Sequence, residues 1–227
     1  MATHGKKYRK VAEKTEDKVY SVSEAIDFLK ANKIAKFDET AELAIRLGVD
    51  TKKTDQTVRG TVALPHGTGK TVRVAVFAAG AAADAAREAG AEFVGNEDLI
   101  EKVKGGWVDF DIAIATPEAM KEVRKLGKVL GPRGLMPNPK TGTVSDDTAA
   151  AVRESKAGRV EYRMDRNGNV QVPFGKLSFE ASKLQDNVNA VIAAVASARP
   201  AATKGVFIKR CTLSSTMGVG LRVDVRE

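Results

Sequence analysis

The sequence predicts two domains of mixed α and β structure, one of them built from both ends of the chain. Near the start, Ala41–Val49 alternates apolar and polar residues, and Val219–Val225 does the same near the end. Such alternation is typical of half-buried strands, and two such strands can share one sheet. Between them, the nearly continuous apolar run Val72–Ala78 is typical of a parallel strand covered on both faces. We therefore predict a discontinuous α+β domain from residues 1–67 and 159–227, with an α/β domain from residues 68–158 inserted into it.

The charge of the chain follows the same division. The 227 residues carry a formal net charge of +8, with an isoelectric point of about 9.5. Residues 1–67 hold 13 Lys and Arg against 10 Asp and Glu, residues 159–227 hold 11 against 6, and residues 68–158 hold 13 of each. A basic domain beside a neutral one favours a polyanionic partner such as nucleic acid, although charge that serves only solubility gives the same totals.

The composition indicates the compartment in which the protein works. The single cysteine, Cys211, excludes an internal disulfide and fits a reducing compartment. No apolar run approaches the roughly 18 residues of a membrane span. The basic, polar N-terminus lacks the apolar segment of a secretory signal. We expect a cytoplasmic protein without a membrane partner.

The first part of the chain predicts one helix and two strands. Ser21 precedes Glu24 at capping-box spacing, and apolar residues at helical intervals follow, which predicts a helix over residues 22–31. The basic segment before this helix forms either an arm or a short helix. The predicted strands are residues 41–50 and 58–64, and Pro65–Gly69 ends the second where the chain crosses into the inserted domain.

The inserted domain alternates strands with helices, which predicts a small parallel sheet flanked by helices. Asn96 is a candidate cap for one helix, and Thr116 for another with Pro117 at its first position. Gly127–Gly142, rich in glycine and proline, is predicted to be a long loop. The predicted strands are 72–78, 91–94 and 110–115, and the predicted helices are 81–89, 97–104, 117–125 and 146–155.

After a second crossing at Ala157–Gly158, the chain returns to the discontinuous domain. The alternating segments 160–164 and 170–174 flank Asp165–Gly168, which predicts a hairpin turn. A helix over 181–198 and strands over 206–211 and 219–225 complete the predicted sheet.

No catalytic or cofactor motif is complete. Gly67–Thr71 resembles part of a phosphate-binding loop, but Leu64 stands where that motif needs a glycine, and the loop precedes a strand instead of a helix. His4, His66 and Cys211 have neither the partners of a nucleophile nor the spacing of a zinc site. We therefore predict no enzyme activity, no cofactor and no metal. An α/β enzyme and a DNA-binding regulator remain the alternatives, the second of which should show a recognition helix that the predicted helices lack.

Three groups of residues are candidate contacts for nucleic acid. Lys36 and Phe37 precede the first predicted strand, where Phe37 either stacks on a base or packs in the core. Ser214–Gly218 offers hydroxyls, free backbone amides and little bulk, which suits close approach to sugar hydroxyls and base edges, unless it is an ordinary loop. Arg163 and Arg166, beside the predicted turn, either contact phosphates or are solvated surface charge.

The glycine–proline loop is a further candidate. It holds Lys128, Arg133 and Lys140, which suits phosphate contacts, and the alternative is a structural cover over the parallel sheet.

Five separated stretches are distinctive, namely Lys36–Thr40, Val58–Gly67, Asp109–Asp111, Leu130–Lys140 and Ser215–Gly218. In this order, and over essentially the whole chain, they resemble the bacterial form of the ribosomal protein L1 family. One departure is Val219–Gly220, where some relatives have proline and serine.

The resemblance implies a discontinuous α+β sandwich domain and an inserted Rossmann-like, three-layer α/β domain. It implies binding to the large-subunit ribosomal RNA of the mobile lateral stalk, beside the exit-site transfer RNA, and repression of the protein's own operon through its messenger RNA. We expect a monomer off the ribosome. The RNA contacts that the resemblance implies are Lys36, Phe37, Thr40, Glu42, Arg163, Arg166, Ser214, Thr216, Met217 and Gly218.

Overall fold

A computed structural model of the chain describes residues 4–225. The chain divides into two compact units, of which unit 1 comprises Met1–Gly69 with Val160–Glu227 and unit 2 comprises Lys70–Arg159. Both units contain helices and strands, so the predicted mixed α and β class is confirmed.

The helices of the described residues are α1 Lys6–Ala12, α2 Val22–Ala31, α3 Ala81–Glu88, α4 Glu97–Lys104, α5 Met120–Val123, α6 Gly127–Leu130, α7 Thr148–Lys156 and α8 Ala181–Ser197. Short 3₁₀ turns lie at Thr54–Gln56, Arg124–Leu126 and Pro139–Thr141. The strands are β1 Thr40–Leu47, β2 Arg59–Ala63, β3 Val74–Phe77, β4 Phe93–Gly95, β5 Ile112–Ala115, β6 Arg159–Arg163, β7 Asn169–Lys176, β8 Ile208–Ser215 and β9 Leu221–Val223.

Unit 1 is organised around a four-stranded antiparallel sheet in the order β7-β1-β8-β9. Segments from both ends of the chain therefore share a sheet, as predicted, with β8 lying between β1 and β9. The remaining strands of this unit, β2 and β6, form a separate two-stranded sheet, so the prediction of one sheet is wrong. β2 and β6 pack against α8 instead, where the Tyr162 hydroxyl of β6 donates to the Ala194 carbonyl at 3.1 Å.

The alternation of β1 explains which of its side chains are buried. Leu43 and Ile45 lie in a core to which α2 and α8 also contribute, whereas Glu42 and Arg46 are exposed on the opposite face of the sheet. The predicted capping box at the start of α2 is confirmed by the reciprocal bonds between Ser21 and Glu24. One face of the sheet is therefore covered by helices, and the other presents polar side chains.

Unit 2 is built on a three-stranded parallel sheet in the order β4-β3-β5. Val74 and Val76 of β3 pack in one cluster with α3 and α7, and Ala75 and Phe77 pack in another with α4, α5 and α6. Both faces of β3 are thus covered, which confirms the interpretation of its continuous apolar run.

Two local predictions in unit 2 are wrong. Asn96 makes no capping hydrogen bond, and its side-chain oxygen is buried without a partner among the described residues. The helical segment after Thr116 continues to the end of α6, which occupies the start of the predicted loop. Val123, Leu126 and Leu130 are buried at helical spacing. Their packing offsets the cost of about 1 kcal/mol for placing Gly127 in a helix.

Candidate functional site

The start of β1 is held in place by a buried carboxylate. The Glu39 side chain is fully buried, and one of its oxygens accepts hydrogen bonds from the amides of Ile34 and Ala35, at 3.0 and 2.7 Å. The other oxygen accepts from the Ser215 hydroxyl at 2.6 Å and from the Met217 amide at 3.2 Å. Glu39 therefore ties the segment before β1 to the end of β8 and to the residues that follow it.

Glu39 is held as a carboxylate by these donors. Burial raises the pKa of the Glu39 carboxyl group, because a charge is poorly solvated in the interior. The hydrogen bonds from Ser215, Ala35, Met217 and Ile34 outweigh burial, so the pKa lies below its ordinary value of 4.5. A buried charge whose acceptor oxygens are satisfied fixes the geometry around it.

Thr40 and Thr216 face each other across the same junction. The Thr216 amide donates to the Thr40 carbonyl at 3.0 Å, and the Thr40 amide donates to Thr216 Oγ1 at 3.0 Å. Lys176 of β7, the cross-strand neighbour of Thr40, donates from Nζ to Thr40 Oγ1 at 2.8 Å. Both hydroxyls are therefore oriented by the protein itself.

The backbone amides of residues 216–218 are all used within the protein. The Met217 amide binds Glu39, and the Gly218 amide donates to the Ser215 carbonyl at 3.0 Å. The prediction that these amides are free is therefore wrong. β8 extends past its predicted end at Cys211, because β1 continues to pair with it as far as Ser215.

Gly218 lies where a side chain does not fit. A Cβ at this position would lie 2.3 Å from Ser215 Oγ, which is the hydroxyl that donates to Glu39. A larger residue would displace that hydroxyl or the backbone around it.

Phe37 and Met217 expose large apolar side chains beside these hydroxyls. Their exposed fractions are 54% and 52%, and only Val19 and Val206 among the described large hydrophobic residues are comparable. The alternative that Phe37 packs in the core is therefore wrong. An exposed ring and an exposed thioether on segments joined by Glu39 form a suitable surface for stacking on a base.

Comparison with known proteins assigns the chain to a family. The family model described as the ribosomal protein L1p/L10e family matches residues 29–219, a range that includes every residue of this junction. The chain belongs to this family. It is also 53% identical over 229 aligned positions to the protein named large ribosomal subunit protein uL1 in Chlamydia trachomatis serovar L2b, and equally to that of serovar D. Each alignment covers 100% of this chain and 98% of the relative.

Further predicted contacts of this L1-family chain lie next to the junction. Lys36 is exposed and directly precedes Phe37. Glu42 is exposed and lies opposite Ser214 of β8 on the uncovered face of the sheet. We call the junction and these neighbours the Thr40 end of β1, which comprises Lys36, Phe37, Glu39, Thr40, Glu42, Ser214, Ser215, Thr216, Met217 and Gly218.

The structure places Arg163 and Arg166 elsewhere. Both are exposed, at the end of β6 and in the predicted turn, which closes as expected. That turn leads into β7 at Asn169, which lies opposite Arg46 of β1. Arg46 is six residues from Thr40, or about 20 Å along an extended strand. The predicted RNA contacts of this L1-family chain therefore fall into two groups at opposite ends of β1.

Sequence reasoning missed Glu39 of the Thr40 end and Lys176, which contacts Thr40. Glu39 is in phase with the buried residues Ala41 and Leu43, and a carboxylate in the buried phase of a strand must find hydrogen-bond donors. The position of Glu39 in this alternation could therefore have identified it from the sequence. Nothing in the sequence marked Lys176, because its contact with Thr40 depends on the pairing of β1 with β7.

The described residues lack two features of many catalytic sites, a metal-binding cluster and a reactive thiol. Among residues 4–225, no group of three or more His, Cys, Asp or Glu side chains is placed to hold a metal ion. Burial raises the pKa of the Cys211 thiol to about 12, so this thiol is protonated at neutral pH and is a poor nucleophile. No helix in the described part of the chain is long and apolar enough to cross a membrane.

Proposed function

We propose that this protein is a structural component of the large ribosomal subunit and binds ribosomal RNA through the Thr40 end of β1. Membership of the ribosomal protein L1p/L10e family supports this, as does 53% identity to proteins named large ribosomal subunit protein uL1. The observation that carries the proposal is the arrangement of Phe37, Thr40, Thr216 and Met217 around the buried Glu39 carboxylate. Such a surface is organised before RNA arrives, which lowers the entropic cost of binding.

Each exposed group at this end suits a different part of an RNA. The Phe37 ring suits stacking on an unpaired base, and the hydroxyls of Thr40 and Thr216 suit sugar 2′-hydroxyls and base edges. Glu42 can accept a hydrogen bond from a 2′-hydroxyl or from a base amino group. Lys36 supplies a positive charge for a phosphate. Together, these exposed groups suit single-stranded or irregular RNA better than a regular duplex.

The resemblance of the five distinctive stretches to the ribosomal protein L1 family supports finer assignments. We propose that the RNA is that of the mobile lateral stalk near the exit site, that exit-site transfer RNA is a second partner, and that the chain represses its own operon by binding its messenger RNA. The protein would act in the cytoplasm on the ribosome and be monomeric elsewhere. We propose no enzymatic activity and no cofactor.

We also propose that the two compact units are folding domains. Residues 1–67 with 159–227 would form a discontinuous α+β sandwich, and residues 68–158 an inserted Rossmann-like, three-layer α/β domain. The separate apolar clusters of units 1 and 2 support this division.

Filter binding tests the proposal. The full chain is titrated against the ribosomal stalk fragment, the leader of its operon messenger RNA and a scrambled RNA of equal length, at several salt concentrations. We expect the first two to bind about 10³-fold more tightly than the scrambled RNA, the lower end of typical specificity ratios. Equal affinity for all three would overturn the proposal.

A further inference from the structure

The segment that leads out of unit 1 is fixed to that unit by a buried side chain. We call residues 66–69 the crossing segment, since the chain continues from them into unit 2. Asn187 of α8 is fully buried, and its side-chain oxygen accepts from the His66 amide at 3.1 Å. Its side-chain nitrogen donates to the Gly67 carbonyl at 3.0 Å and to the Phe174 carbonyl at 2.7 Å. Because breaking these bonds would leave buried polar groups unpaired, the start of the crossing segment has a defined position.

The end of the crossing segment lies against the side chain of Lys176. Gly69 has a φ of +71°, and a Cβ there would lie 3.0 Å from Lys176 Cγ and 2.9 Å from two ring atoms of Phe179. Carbon atoms in favourable contact lie about 3.5–4.0 Å apart, so a side chain at residue 69 would push the Lys176 stem or the Phe179 ring aside. The crossing segment therefore confines the aliphatic stem of Lys176.

The other end of Lys176 reaches the Thr40 end of β1. Its Nζ donates to Thr40 Oγ1 at 2.8 Å and lies 3.4 Å from the Asp38 carbonyl oxygen. Ser178, two residues further along the chain, donates from Oγ to the Asp38 carboxylate at 2.7 Å. Lys176 therefore lies between the crossing segment and the start of β1, and touches both.

This contact fixes the role of the Thr40 hydroxyl in hydrogen bonding. A hydroxyl has one hydrogen to donate and two lone pairs with which to accept. The ammonium group of Lys176 only donates, so it occupies a lone pair of Thr40 Oγ1 and leaves the hydroxyl hydrogen for another acceptor. An ammonium group that moved away would leave the hydroxyl free to turn. Lys176 therefore orients Thr40 as a donor.

We infer that Lys176 positions Thr40 for RNA recognition and that the crossing segment, through Gly69, sets the position of Lys176; this inference rests on the proposed function. A displacement of the crossing segment shifts the Lys176 stem and with it the orientation of the Thr40 hydroxyl. RNA binding and the state of the crossing segment are therefore linked, and such a linkage acts equally in both directions. The connection to unit 2 thereby influences recognition without itself contacting the RNA.

Gly69→Ala in the full chain tests the inference. The added methyl group displaces the Lys176 stem, so binding to the stalk RNA should weaken by about three- to tenfold, the equivalent of one ordinary hydrogen bond. The slope of log K against log salt should not change, since no phosphate contact is lost. Lys176→Met, which keeps the stem and loses the ammonium group, should have a similar effect. A clear fall in the slope for Lys176→Met would mean that Lys176 binds a phosphate itself, and would overturn the inference.

The double variant Gly69→Ala/Lys176→Met shows whether the two residues act in one chain of contacts. If Gly69 acts through Lys176, the double variant should bind the stalk RNA no more weakly than Lys176→Met alone. Independent effects would instead multiply. A loss equal to the product of the two single losses would overturn the inference.

Gly205→Ala is the matched control. Gly205 lies in unit 1 with a φ of +77°, and a Cβ there would meet no atom within 4 Å. Both alanine variants carry the strain of a left-handed backbone, so both should lose some stability, but Gly205→Ala should bind the stalk RNA like the wild type. Equal losses of affinity in Gly69→Ala and Gly205→Ala would trace the effect to stability alone and overturn the inference.

Hydrogen exchange tests the linkage in the reverse direction. The His66 amide, which donates to Asn187, reports the opening of the crossing segment. Stalk RNA should raise the protection of this amide by the factor that Gly69→Ala loses in affinity, and should leave it unchanged in Lys176→Met. Unchanged protection in the wild type, with the stalk RNA still preferred, overturns the inference and leaves the proposed function standing. A wild-type protein without preference for the stalk RNA overturns the proposed function, and this inference with it.

Discussion

The two ends of β1 differ in where they hold charge and in how that charge is satisfied. At the Thr40 end, Glu39 carries a charge inside the protein and four donors from the chain satisfy it. At the other end of β1, Arg46, Lys209 and Arg210 are exposed, and no carboxylate of the described residues forms an ion pair with them. The charge at the first end is therefore satisfied within the protein, whereas the cations at the second end have no carboxylate partner in the described part of the chain.

We expect the first end to provide selectivity for a particular RNA and the second end to attract RNA in general. The exposed side chains at the Thr40 end are mostly uncharged, so we expect them to discriminate between RNAs by shape and by hydrogen bonding. We expect Arg46, Lys209 and Arg210 to act through charge, an attraction that does not depend on RNA sequence and weakens with salt. Substitutions at the Thr40 end should therefore change the preference for one RNA over another. Substitutions of the three cations should instead change the salt dependence of binding.

The largest effect is expected from Glu39→Gln. The amide is isosteric, but its NH₂ group would face donors that now point at a carboxylate oxygen, from Ser215 and Met217 or from Ile34 and Ala35. We expect the free energy of unfolding in urea to fall by about 2–4 kcal/mol, since buried donors lose their acceptor. Glu42→Gln, an exposed change on the same strand, is the control and should stay within about 0.5 kcal/mol. Equal stability of the two variants would contradict the role given to Glu39.

The contribution of the Glu39 carboxylate to stability should depend on pH. The pKa of Glu39 is lower in the folded protein than its ordinary value, so its contribution to stability is fully present above the unfolded-state pKa of about 4.3. That contribution is lost as the pH falls through the folded-state pKa. Wild-type stability should therefore decline below about pH 4.5 more steeply than that of Glu39→Gln. Parallel acid profiles would show that the pKa of Glu39 is the same in the folded and unfolded states, which would contradict a carboxylate stabilised by its donors.

An intermediate effect is expected from Thr216→Val. This change removes the hydroxyl that accepts from the Thr40 amide and that is exposed to a ligand. Binding to the stalk RNA should weaken by about 1–3 kcal/mol, the range for one specific polar contact, with an unchanged salt slope. Thr203→Val is the control, because the Thr203 hydroxyl is buried without a partner among the described residues. If Thr216→Val binds like Thr203→Val, the Thr40 end is not the recognition surface.

The sequence predicted the strands and helices of the chain better than the site. Hydrophobic alternation and capping signals were sufficient for β1 and α2, because these depend on neighbours in sequence. The amides of Thr216 and Met217 were misjudged because their acceptors, Thr40 and Glu39, lie more than 170 residues away. The exposure of Phe37 was equally beyond reach, since its place in the alternation fitted burial as well. The position of Arg46 opposite Arg210 also depends on strand pairing that no local pattern encodes.

The smallest effect is expected when unit 2 is removed. Both ends of β1 lie in unit 1, which has its own apolar cluster around Leu43, Phe174 and Leu213. We expect a chain in which residue 67 is joined to residue 159 by a short glycine linker to unfold cooperatively. It should bind the stalk RNA within about threefold of the full chain, a difference of about 0.6 kcal/mol.

The first junction of the shortened chain is already fixed within unit 1. The His66 amide donates to the buried Asn187 side chain at 3.1 Å, and Asn187 donates to the Gly67 carbonyl at 3.0 Å. β2 and β6, which lead to and from the removed segment, are paired in one sheet, so a short linker can join them. A gradual unfolding curve would contradict the proposed domain division. Cooperative unfolding with an affinity loss far beyond threefold would instead assign part of the recognition to unit 2, and the two ends of β1 would no longer account for binding.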